Sequence, residues 1–86
     1  MMRILHLIRH PGEAIGWQVA EAQAARHEVA VLLLQDGVLC RRQTALPVYA
    51  SALDLEARGL PADRRKPLSD AEIVEVLAAH DRLVTW

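Results

Sequence analysis

Residues 29–34 read Val-Ala-Val-Leu-Leu-Leu, six apolar side chains in a row with no polar alternation. A strand with one face in water alternates, so an unbroken run of this length fits a strand covered on both faces. That is the pattern of a parallel sheet sandwiched between helices. Gln35-Asp36-Gly37 closes the run with polar groups and a glycine, as a tight turn requires. At 86 residues the chain has room for one small domain, 1–86, with a modest core.

The rest of the chain supplies elements to match. Residues 4–8 form a short apolar run with a β-branched residue at each end, broken by Pro11-Gly12, and read as the first strand. Residues 13–26 are Ala-rich and favour a helix. Ile15, Val19, Ala22 and Ala25 or Arg26 recur at helical spacing, a narrow stripe of small residues that lets a helix lie close on a sheet. Residues 38–45 are expected to form a short helix carrying Cys40, Arg41 and Arg42. Residues 47–50 read as a strand that opens on proline, which the first position tolerates. Residues 51–58 read as one or two helical turns stopped by Gly59. Residues 60–68 are polar, hold Pro61 and Pro67, and are expected to be a loop. Ser69 and Glu72 make a capping box before a helix at 70–79, with Ile73, Val76, Leu77 and His80 on one face. Residues 83–86 close the chain as a last strand. The order predicts an α/β three-layer sandwich: a mainly parallel sheet of about four strands, right-handed crossovers, and helices on both faces.

Composition narrows the function. Hydrophobic residues make up 52% of the chain and aromatics 3%, an apolar excess for so small a chain that points to association with another chain. The net charge of −1 favours neither nucleic acid nor membrane. Lys66 is the only lysine, and the clusters Arg41-Arg42 and Arg64-Arg65-Lys66 read as solvated loop charge, with an RNA or acidic-partner contact as the sharper alternative. One cysteine, Cys40, excludes an internal disulfide and a multi-cysteine zinc site. The start of the chain does not read as a signal peptide, no stretch is long enough to span a bilayer, and a soluble cytoplasmic protein is expected. No G-x-G-x-x-G or Walker A loop is present, so no nucleotide, cofactor or metal is expected.

Some residues could carry chemistry. Arg9-His10-Pro11-Gly12-Glu13 after a strand resembles the opening of histidine phosphatases. Such an enzyme needs a chain more than twice as long, a second histidine and more arginines around the phosphoryl group. His10 is therefore expected in a βα turn at the C-terminal edge of the sheet, where it can line a site. Cys40 is the one possible thiol nucleophile. A place near a helix start with Arg41 and Arg42 beside it would favour the thiolate a persulfide carrier needs; a lone cysteine otherwise serves as a small buried hydrophobe. Trp17 lies off the helical stripe and is read as packing on a loop or anchoring an interface.

Two segments carry a family resemblance. Val-Leu-Leu-Leu-Gln-Asp-Gly-Val at 31–38 resembles the signature run of the TusB/DsrH proteins of sulfur relay systems. Val-Tyr-Ala-Ser-Ala-Leu-Asp-Leu-Glu-Ala-Arg-Gly-Leu at 48–60 is similar to their second characteristic segment. The residues that carry it are Gln35, Asp36, Gly37, Tyr49, Asp54, Arg58 and Gly59, and the final strand ending in Trp86 also fits. The resemblance spans nearly the whole chain. It implies a small flavodoxin-like fold of the DsrE/DsrF/DsrH superfamily and a place in a relay that passes persulfide sulfur toward tRNA wobble-uridine thiolation or sulfur oxidation. Registered through Arg58-Gly59, the carrier cysteine of DsrE-like subunits falls at about Ser51, and serine cannot form a persulfide. Some DsrH proteins have a cysteine in the first helix; residues 13–26 have none.

The expectation is thus a non-catalytic subunit of a sulfurtransferase complex, packed beside DsrE-like and DsrF-like (TusD- and TusC-type) partners, with Trp17 and Trp86 as interface residues. The alternatives are a homo-oligomer with Cys40 as sulfur carrier, lined by His10, Arg41 and Arg42, and a binding or regulatory protein without sulfur chemistry.

Overall fold

The computed structural model describes residues 1–86 and runs β1 (Arg3–Ile8), α1 (Ile15–Gln23), β2 (Glu28–Leu33), a 3-10 helix (Gln35–Leu39), β3 (Val48–Ser51), α2 (Ala52–Ala57), β4 (Lys66–Leu68), α3 (Asp70–Ala78) and β5 (Arg82–Thr85). Every strand pair is parallel, in one five-stranded sheet of order β4-β3-β2-β1-β5. From β1 to β4 the chain steps in one direction, and right-handed crossovers put α1 and α2 on one face. The return from β4 to β5 runs the other way and puts α3 on the opposite face. The expected flavodoxin-like three-layer arrangement is what forms.

The unbroken apolar run becomes β2, flanked by β1 and β3, and Val29 to Leu33 are all buried. Its alternate residues feed two cores. Val29, Val31 and Leu33 join Ile4, Ile8, Trp17, Ala20, Val38, Ala50 and Leu55 under α1 and α2. Ala30 and Leu32 join Leu5 and Leu68 on the other face, where Ile73, Val76 and Leu77 of α3 pack. α3 buries no residue fully, so the second face is the more thinly covered.

The caps explain the helix limits. Ser69 and Glu72 form the capping box at the start of α3. Ser51 Oγ accepts from the Asp54 N–H at 3.2 Å and caps α2. Gly59, at φ +62°, ends α2. The Leu60 N–H reaches the Leu55 carbonyl and the Gly59 N–H reaches that of Glu56, the paired bonds of a Schellman motif that needs a left-handed residue at this point.

Three expectations need correction. No helix forms over residues 38–45: a 3-10 turn begun at Gln35 ends at Leu39, and Cys40 is already extended at ψ 134°. The Arg65 guanidinium takes up the Val38 carbonyl that a continuing helix would use. Within 60–68, Lys66–Leu68 pairs with β3 as a fifth strand. Its proline reads as a breaker, yet an edge strand has one free side on which a missing N–H costs nothing. The inward face of α1 is Gly16, Trp17 and Ala20, while Ile15 is 64% exposed. Trp17 has far more surface to bury than Ile15 and sets the helix rotation.

Candidate functional site

The molecule has two clefts, one lined by Cys40 and the other by Ser51. The larger, about 420 Å³, is lined by Trp17, Leu33, Leu46 and Val48 and by Cys40, Arg41, Arg42, Arg64 and Arg65, with Asp63 among them. It exists because the β2–β3 crossover lacks a full helix. After one 3-10 turn the chain runs without regular structure from Cys40 to Pro47, and the layer that α1 begins is left incomplete. On one side stands α1; on the other stand residues 61–65. Arg65 holds that wall in place, donating to the carbonyls of Val38, of Ala62 at 3.1 Å and of Pro61 at 2.9 Å.

The other guanidiniums differ in how far they are committed. Arg42 grips Glu21 through two bonds at 2.7 and 3.2 Å and lies 5.8 Å over the Trp17 ring. The bond to Arg42 holds the Glu21 carboxyl below the usual glutamate range, against a smaller opposing effect of burial. The same pair raises Arg42 above its ordinary value. Arg41 approaches Asp63 only at 3.7 Å, and Arg64 has neither ion pair nor side-chain hydrogen bond. Cys40 is half-buried and free.

The smaller cleft, about 370 Å³, is lined by Arg9, Leu34, Gln35, Ser51, Leu53, Asp54, Asp70 and Ile73. These residues end or follow β1, β2, β3 and β4, at the C-terminal edge of the sheet where α/β folds place ligands. Ser51 is 4% exposed. Its hydroxyl is occupied as the α2 cap.

The signature residues meet around this edge as a structural tie. The Gln35 N–H donates to Asp54 Oδ2 at 2.7 Å. Arg58 reaches Asp36 Oδ1 at 2.9 Å and the Asp54 carbonyl at 3.1 Å. Gly37 lies so close to β1 that a Cβ there would overlap the Ile8 carbonyl oxygen. Together these contacts lock the 3-10 turn onto α2 and β1. Tyr49 sits apart, half-buried on the α3 face.

Other sequence candidates fall elsewhere. His10 is exposed in the turn after β1, 3.5 Å from Glu13, and lines neither cleft, so it does not join Cys40, Arg41 and Arg42. Trp17 is 1% exposed and belongs to the larger core. A side chain spent on the chain's own core is not available to anchor a partner, which corrects its reading as an interface residue. Trp86 packs inward too: its ring covers Gly16, stacks beside His6 at 6.1 Å, and its indole N–H donates to His6 Nδ1 at 2.9 Å. His6 Nε2 then carries the proton and donates to Gln23 Oε1 at 2.6 Å. The sequence reading missed this buried polar chain, and it missed that Arg64 and Arg65 face Arg41 and Arg42. Two arginine pairs, one before β3 and one after α2, were the available signal.

No family model and no curated protein matches the chain. Among solved structures, that of the YchN protein of E. coli is similar, with a TM-score of 0.78 over all of both chains at 18% identity. At that identity the likeness establishes a shared α/β fold.

Proposed function

We propose that this chain is a subunit of a sulfur relay, accessory to persulfide transfer. The signature segments support the relay: the residues that carry the resemblance to TusB/DsrH proteins form the hydrogen-bonded tie of Gln35, Asp36, Asp54 and Arg58. The fold shared with YchN is of the kind that resemblance implies. The observation that carries the accessory role is Ser51. At about the position where the resemblance places the carrier cysteine of a DsrE-like subunit, this chain has a buried hydroxyl bound to the backbone of α2. An alcohol oxygen there can neither accept nor release sulfane sulfur. Its partners on this reading are DsrE-like and DsrF-like subunits, and the destination is tRNA thiolation or sulfur oxidation.

Native mass measurement of the chain mixed with purified DsrE-like and DsrF-like subunits tests the reading. A stoichiometric complex that speeds sulfur transfer to the acceptor is expected. A chain that stays apart and leaves the transfer rate unchanged overturns it.

A second reading has its own support, the place of Cys40 in a cleft lined by arginines. In it the Cys40 thiolate attacks the outer sulfur of a donor persulfide. A new S–S bond forms to Cys40, the donor's S–S bond breaks, and the donor leaves as a thiolate with no net oxidation. Arg41, the less committed of its two neighbouring guanidiniums, would balance the persulfide anion.

A further inference from the structure

The arginine cleft has more donors than acceptors. Among its lining side chains Asp63 is the only carboxylate, against four guanidiniums. Two of the four are spent inside the chain, Arg65 on backbone carbonyls and Arg42 on Glu21. The other two are freer: Arg41, 72% exposed, makes one long ion pair with Asp63 at 3.7 Å, and Arg64 has no partner. A further donor is unmatched. Trp17 forms part of the wall, and its indole N–H is the one buried side-chain polar atom in the molecule without a hydrogen bond. Buried donors of that kind are rare and call for an explanation.

The lining also includes the apolar side chains of Leu33, Leu46 and Val48. A volume of about 420 Å³ exceeds what a bare inorganic anion fills and lies in the range of small-molecule sites, roughly 300–1,000 Å³. Planar guanidinium forks match the paired oxygens of a phosphate group. The unpaired Arg64 fork and the loosely paired Arg41 fork together offer more donors than a carboxylate's two oxygens use. We infer that this cleft binds a small organic phosphate monoester. Arg41 and Arg64 close on the phosphate oxygens, and the organic part lies on Leu33, Leu46 and Val48 beside Trp17.

This inference goes beyond the sulfur-relay reading and uses no thiol chemistry, so either can fail alone. The test is an NMR titration of the full ¹⁵N-labelled chain with phenyl phosphate, inorganic phosphate and phenol. Phenyl phosphate is expected to bind at least tenfold more tightly than either of the others and to shift the Trp17 indole N–H. Arg41→Ala and Arg64→Ala, both at exposed positions, should each weaken it at least fivefold. Arg26→Ala removes the same charge outside the cleft and should leave it unchanged. No binding of phenyl phosphate, or binding that leaves the Trp17 N–H unmoved, overturns the site. So does equal weakening by Arg26→Ala, which would mean attraction by net charge alone. Inorganic phosphate bound as tightly as phenyl phosphate overturns the organic ligand.

Discussion

The two clefts place an alcohol and a thiol in opposite circumstances. Ser51 stands at the ligand edge of the sheet, but its oxygen is buried and committed to a helix cap. Cys40 stands where a crossover helix is missing, half-buried, free, and among guanidiniums. The Ser51 hydroxyl is part of the scaffold, while the one thiol lies where the scaffold is incomplete. A carrier residue has to be reachable and uncommitted, and by that measure Ser51 is excluded by chemistry and by geometry alike.

Substitutions in the tie and in the two cleft walls break the contrast. Gly37→Ala should have the largest effect, because its Cβ would overlap the Ile8 carbonyl oxygen, backbone that cannot step aside. We expect a loss of about 3 kcal/mol, read by chemical denaturation. Arg65→Ala should come next. Removing the guanidinium strips residues 61–65 of their bonds to Val38, Ala62 and Pro61. A loss of about 2 kcal/mol is expected, with new amide-exchange in the cleft wall and none around Ser51. Ser51→Ala should cost about 1 kcal/mol, as loss of an N-cap does, and leave the Cys40 cleft unchanged by the same exchange measurement.

The smallest effect is a pH dependence. Arg42 lowers the folded-state pKa of Glu21. A depressed carboxyl contributes stability that is full above the ordinary glutamate value and is lost as pH falls through the lowered one. Glu21→Gln should therefore be less stable than the parent at neutral pH, with the gap closing in acid. A gap constant down to the acid limit would contradict the Glu21–Arg42 bond.

Much of the fold was legible because burial on both faces leaves a plain mark. The run at 29–34 announced β2 and the parallel sheet, and Ser69 with Glu72 announced α3. Gly59 marked the end of α2 because a left-handed residue was needed there. What escaped were effects of distant partners. β4 exists only through pairing with β3, and its proline argued against it. The stripe on α1 pointed to Ile15, whereas Trp17 dictated the rotation. Cys40, Arg41 and Arg42 were visible as a cluster, but the helix assigned to them was absent. Arg64 and Arg65 joined them only through the path of the chain after α2.

The most direct test of the central claim is the intact mass of this chain after incubation with a cysteine desulfurase and cysteine, without reductant, beside a DsrE-like partner. An accessory subunit predicts that the partner gains one sulfur and this chain none. A gain of one sulfur on this chain that disappears in Cys40→Ser would contradict it and make Cys40 the carrier.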